Sequence, residues 1–309
     1  MNNNKSKSNL APLHPYYVTG FSDGESYFYV CITKSKSSKV GWQVQASYAI
    51  GLGQRDLVLL ERIQSYFGGI GVIFKQGQTG YQYMVRSLKD LTNVVIPHFD
   101  KYSLLTKKQA DFVLFKQVID LLNRQEHLNP AGLQKIVNIK ALMNWGLSEG
   151  LKKAFPNIIL KERPEVLLNP IKDPNWVVGF VDAEGCFYVN VFKSLNSKMG
   201  MGVNLWFKVT QHTRDTLLMK NFLDYFACGL TDENPKLSWV NFHVTKALDV
   251  RNVIIPFFHK YPLQGAKALD FADFYRVANI MKVNGHLTKE GLEQIIQIKS
   301  GMNSKRLVE

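Results

Sequence analysis

The chain has 309 residues, 46% of them hydrophobic, enough for two ordinary domains with separate cores. Its 38 lysines and arginines against 25 acids give a formal charge of +13, which favours a polyanionic partner, nucleic acid or an acidic membrane surface. No apolar run is long enough to span a bilayer, residues 1–15 are polar with no hydrophobic signal core, and Cys31, Cys186 and Cys228 form neither a metal-ligand spacing nor a disulfide framework. A soluble, unsecreted protein with reduced thiols is expected.

In chain order, residues 15–25 read as a short helix with proline at its first position, apolar residues such as Val18 and Phe21 almost all round, and the acid Glu25 at its end. The period then becomes two. Phe28, Val30 and Ile32 alternate with Tyr27, Tyr29, Cys31 and Thr33, the mark of a half-buried strand. A loop carrying Ser35 and Ser37 leads to a return strand in which Gln43, Gln45 and Ser47 alternate with Val44, Ala46 and Tyr48. Helical spacing through Leu59, Leu60, Ile63 and Phe67 predicts a helix covering the back of this hairpin. A second hairpin turns at 77–80, with Gln76, Gln82 and Arg86 on the same outer face. Residues 114–122 are helical, Asn129-Pro130 starts a closing helix, and 145–171, with a charged helical patch around Lys152 and Lys153, reads as a linker.

At 174 the pattern restarts. Asp173 caps a second apolar helix, through Val177, Val178, Phe180 and Val181, that ends in Glu184. The offset 184 − 25 = 159 also aligns Arg55-Asp56 with Arg214-Asp215, Tyr66-Phe67 with Tyr225-Phe226, Lys108 with Lys267, His127 with His286 and Met143-Asn144 with Met302-Asn303. One frame over both halves means a duplicated domain with pseudo-twofold symmetry. In the second hairpin pair Phe187, Val189, Val191, Val203, Leu205, Phe207 and Val209 face inward, and Tyr188, Asn190, Phe192, Asn204, Trp206 and Lys208 outward. After a helix over 215–226 and a turn at Asn234-Pro235, Val240, Phe242 and Val244 alternate with Trp239, Asn241, His243 and Thr245. The expected organisation is an α+β protein of two αββαββα repeats, 15–144 and 174–303, joined by a linker at 145–173, with tails at 1–14 and 304–309.

Small residues recur four apart, Gly20 with Gly24 and Gly179 with Ala183, so the two helices can approach closely. Packing through those faces delivers Glu25 and Glu184 to one end, where two carboxylates beside helix C-terminal carbonyls make a cation site. Either acid alone reads as a solvated helix end, and it is the repeat that points to a paired site. The outward strand faces are either simply wet or built for a ligand; their amides and aromatics suit base edges better than a merely soluble surface. His127 and His286 have no second ligand at a useful spacing and are expected to be structural.

Gly-Phe-Ser-Asp-Gly-Glu25 and Gly-Phe-Val-Asp-Ala-Glu184-Gly resemble the two copies of the LAGLIDADG motif in single-chain homing endonucleases of the type encoded in fungal mitochondrial introns. The resemblance extends over nearly the whole chain, including the segments around Lys108 and Lys267, and departs at Ser26, where glycine is usual. It implies two antiparallel sheets forming a saddle over the major groove of double-stranded DNA, a monomer, a mitochondrial location, and site-specific cleavage of both strands. It implies Mg2+, with Ca2+ or Mn2+ able to substitute, held by Glu25 and Glu184 with the Gly24 and Ala183 carbonyls as extra ligands. Lys108 and Lys267 are then the basic residues beside each cut that stabilise charge and order the water network, and Gln211 the solvent-positioning glutamine, whose counterpart position holds Leu52. Unlike pairs such as Thr33 with Phe192 and Ser47 with Trp206 imply an asymmetric target. The competing reading is an intron RNA maturase or a cleavage-inactive DNA-binding protein of the same fold. A membrane-surface role would need a basic amphipathic helix, and no strong candidate is present.

Overall fold

The computed structural model describes residues 11–166, 169–303 and Arg306; most of the two expected tails lies outside the described residues. Pro15 opens the first motif helix (Pro15–Glu25), and the Asp173 carboxylate caps the second (Pro174–Glu184) by accepting the Asn175 N–H at 2.8 Å. Both helices are buried through most of their length, and they pack on each other. A Cβ on Gly20 would lie 2.0 Å from the Trp176 carbonyl oxygen, and one on Gly179 2.1 Å from that of Tyr17, so the backbones touch where only glycine fits. Side chains then stitch the crossing: the Trp176 indole donates to Asp23 at 2.9 Å, and the Tyr17 hydroxyl to Asp182 at 2.8 Å.

Each motif helix runs directly into a four-stranded antiparallel sheet. The first contains β1 (Ser26–Lys34), β2 (Trp42–Gly53), β3 (Val72–Gln76) and β4 (Gly80–Val85) in the order β1-β2-β4-β3. The second contains β5 (Gly185–Lys193), β6 (Met201–His212), β7 (Leu230–Asn234) and β8 (Trp239–Val244) in the order β5-β6-β8-β7. Register repeats with the sequence offset: Tyr29 lies opposite Ser47, and Tyr188 opposite Trp206.

The apolar face of each sheet lies beneath a covering helix, Leu57–Tyr66 or Thr216–Phe226, and a longer helix, Lys108–Asn123 or Lys267–Lys282. At its centre Phe28 meets Tyr48, Phe99, Phe112 and Phe115, and the equivalent Phe187 meets Phe207, Phe258, Phe271 and Phe274. The core is continuous through the motif helices into both halves. Asn129 and Thr288 cap the closing helices by accepting the Gly132 and Gly291 N–H groups. Helical stretches at 88–101 and 247–260, which apolar spacing does not announce, each widen into a π turn ahead of Pro97 and Pro256, whose missing N–H cannot close an ordinary turn.

The connecting segment runs along the first repeat. It carries a short helix (Glu149–Ala154), then packs Phe155 on Trp42 with ring centroids 5.1 Å apart. Arg163 pairs with Asp111 at 3.0 Å.

Candidate active site

The helix crossing sets the site. Because the helices touch near their middles and run out together, Glu25 and Glu184 finish at the same end: a Cβ on Gly24 would lie 2.4 Å from the Ala183 Cβ and 3.0 Å from the Glu184 Cγ. Burial raises both carboxyls above the usual range, and the Glu184 charge raises Glu25 further. The neighbouring Gln211 amide offsets part of the rise at Glu184.

Among the described residues no group of three or more His, Cys, Asp and Glu side chains could hold a metal. The donors gathered here are two carboxylates and main-chain carbonyl oxygens. That set fits a hard divalent cation that takes few protein ligands and keeps much of its water, and a cation there would relieve the repulsion between the acids.

Lys108 and Lys267 are the first residues of the two long helices. The Lys108 ammonium donates to the carbonyls of Ser22 at 2.8 Å and Gly24 at 3.0 Å; that of Lys267 donates to Val181 at 2.9 Å and Ala183 at 3.1 Å. The Gly24 and Ala183 carbonyls, expected as metal ligands, therefore already carry an ammonium, and each oxygen retains a second lone pair. Burial lowers Lys108 to about 8 and shifts Lys267 in the same direction.

Two cavities flank the acid pair, and each is built from both repeats. One, of about 620 Å³, brings Glu25, Leu52, Arg55 and Asp56 of the first repeat to Ala183 and Lys267 of the second. The other, of about 310 Å³, brings Gly24 and Lys108 of the first to Glu184, Gln211, Arg214 and Asp215 of the second. Gln211 lines the second cavity with Glu184, and the first has the apolar Leu52 at the equivalent position.

Four acids with no role in the motif reading hold this frame. Asp23 accepts the Leu105 N–H at 2.8 Å and the Thr106 N–H at 3.1 Å, while Asp182 accepts those of Gln264 at 2.6 Å and Gly265 at 3.0 Å. Asp215 accepts the Lys107 N–H and Asp56 the Ala266 N–H, both at 2.7 Å. The signal for them was an acid two positions before each glutamate and an Arg-Asp pair identical in both copies.

The expected groove face is mostly open. Tyr29, Thr33, Ser37, Gln43, Gln45, Gln76, Arg86, Tyr188, Phe192, Asn204 and Trp206 are exposed; Tyr27, Ser35, Asn190, Lys208, Trp239, His243 and Thr245 are half-buried. Ser47, Gln82 and Asn241 depart from the expectation, being only 6%, 3% and 2% exposed. Neighbouring side chains hold the two amides: that of Gln82 donates to the Tyr27 hydroxyl, and Asn241 bridges Thr210 and Asp232. Two lysines of the closing helices, Lys140 and Lys299, sit over the rings of Tyr29 and Tyr188 at 5.6 and 5.4 Å, bracing the same outward position in each half. His127 and His286 lie in single turns (Glu126–Leu128 and Gly285–Leu287) ahead of the closing helices.

Comparison with known proteins gives the same frame. The family model of the LAGLIDADG endonucleases matches twice, at residues 18–119 and 177–278. The chain is 37% identical over 303 residues to the probable intron-encoded endonuclease 2 of Neurospora crassa, covering 94% of this chain and 66% of that protein. It is 39% identical over 285 residues to the probable intron-encoded endonuclease 3 of the same fungus, covering 92% of this chain and 53% of that one. It thus spans between half and two thirds of these curated relatives, both of which are named as intron-encoded. Among solved structures, that of the I-SmaMI LAGLIDADG homing endonuclease bound to cleaved DNA superposes with a TM-score of 0.94 at 42% identity, covering 96% of this chain and 99% of that one.

Proposed function

The chain belongs to the LAGLIDADG endonuclease family, and from that premise we propose that it is a site-specific endonuclease that hydrolyses one phosphodiester on each strand of double-stranded DNA. The observation that carries the reading is the pair of cavities around Glu25 and Glu184, each supplied with a half-buried lysine and an arginine. A protein that only bound DNA would have no use for two carboxylates set against phosphate; this favours cleavage over an inactive binder of the same fold.

Glu25 and Glu184, with the Gly24 and Ala183 carbonyls, would hold Mg2+, which when bound supplies Lewis-acid stabilisation of the phosphate charge and an activated water. The chain's own groups do the rest. Lys108 and Lys267 place positive charge beside each phosphate, and Gln211 orients solvent next to Glu184. The sheet faces, with Gln43, Gln45, Asn190 and Asn204, present amides to base edges in the major groove, while the differing halves select an asymmetric site. Because both cavities form within one chain, a monomer suffices. The relatives' origin supports action in the mitochondrion.

The test is cleavage of a supercoiled plasmid carrying a target recovered from a randomised duplex library by the wild-type protein. Glu25→Gln and Glu184→Gln should each lower double-strand cleavage at least about 100-fold while leaving binding intact. Cleavage at the wild-type rate by either variant overturns the assignment.

A further inference from the structure

In each half, the three consecutive backbone N–H groups immediately before the lysine are all taken by carboxylates, and the acids come from different repeats. Ahead of Lys108, Asp23 takes Leu105 and Thr106, but Lys107 is held by Asp215, 108 residues further along the chain. Ahead of Lys267, Asp182 takes Gln264 and Gly265, but Ala266 is held by Asp56, 210 residues back. The two crossed bonds are equally short at 2.7 Å, and Asp215 is buried to 4% exposure. Each crossing acid also carries its neighbouring arginine, with Nε to carboxylate distances of 3.4 Å at both Arg55-Asp56 and Arg214-Asp215.

We infer that Asp56 and Asp215 are positioning residues that fix each lysine in its cavity from the opposite repeat, so each strand's cut depends on an acid in the half that does not supply the lysine. A charged acceptor at the first turn of a 16-residue helix sets both the helix position and its dipole environment. The lysine is consequently held at both ends: its backbone entry by two carboxylates, its ammonium by the motif-helix carbonyls. A shift of about 1 Å in such a group costs on the order of 100-fold in rate. The same bonds also join the halves, so loss of one would loosen one cavity and leave the other assembled.

The inference rests on the endonuclease reading, and strand-resolved cleavage separates the two. The library-derived duplex is labelled on each strand in turn, and the rate of each cut is measured for the wild type, Asp215→Ala and Asp56→Ala. Asp215→Ala should slow one strand by about 10- to 100-fold, with the other within about twofold, so that singly nicked product accumulates. Asp56→Ala should do the same to the opposite strand, and the asparagine variants, which keep an acceptor oxygen, should recover part of each loss. If an alanine variant does not fold, Asp→Glu at that position, which keeps the charge but displaces the acceptor, takes its place in the same assay. Equal slowing of both strands, or slowing of the same strand by both variants, overturns the inference while leaving the function standing. Absence of cleavage by the wild type overturns the function itself.

Discussion

The two repeats share a backbone and differ in what they have put on it. In the first, Thr19 on the motif helix, His98 and Tyr66 form a buried polar cluster, with the imidazole 3.1 Å from the Thr19 hydroxyl and 3.0 Å from that of Tyr66. At the same offset the second repeat has Val178, Phe257 and Tyr225, and Phe257 packs on Tyr225 and Phe226 with centroids 6.0 and 5.1 Å away. Beside the acids the polarity is reversed: the second repeat supplies Gln211 where the first has Leu52. Two features that hold the halves together are duplicated faithfully, the glycine contacts and the crossed aspartates. The polar cluster around His98 and the residue beside each acid, which each serve one half, have drifted. A duplicated fold tolerates side-chain change wherever compensation is local, and resists it where one residue serves both copies.

The glycine crossing offers the largest expected effect. Gly20→Ala and Gly179→Ala each force a methyl to within about 2 Å of a backbone carbonyl across the interface and should cost about 3 kcal/mol or more in denaturant unfolding. Equal losses from the two variants would mark the crossing as a shared element; a much smaller loss from either would show that its half can shift alone.

A smaller effect is expected from equalising the cavities. Gln211→Leu removes the amide that shares a cavity with Glu184 and should slow one strand's cut about tenfold, read as accumulation of a single nick. Leu52→Gln should change the other strand only.

The smallest effect is a pH dependence confined to the first repeat. Burial lowers His98 to about 3, below the value near 6.5 of the unfolded chain. Between those values the unfolded state binds a proton that the native state refuses. The contribution is therefore fully present above about pH 6.5 and is lost as pH falls towards 3, by at most about 1.4 kcal/mol per pH unit. Installing the second repeat's solution, Thr19→Val with His98→Phe, should remove that slope, measured as the difference in unfolding free energy between pH 7 and pH 5. An unchanged difference would place the acid sensitivity elsewhere.

Much of this molecule was legible because duplication prints every structural requirement twice. Period-two alternation located the long hairpins, proline and Asp173 marked the motif helices, and the 159-residue offset paired Lys108 with Lys267 before any geometry was known. The helical stretches at 88–101 and 247–260 escaped because a π turn breaks the 3.6-residue spacing. Ser47, Gln82 and Asn241 alternate correctly with the core and are nonetheless covered, since alternation reports the face of a strand and not the bulk of its neighbours.

By itself, then, the sequence determined the repeat and the strand faces and paired Glu25 with Glu184 and Lys108 with Lys267, all of which follows from local periodicity and from comparing one half with the other. Only the tertiary structure decided that each cavity draws on both halves. Asp56 and Asp215 act across 210 and 108 residues of chain, and nothing local records which amide such a carboxylate will meet once two buried helices have crossed.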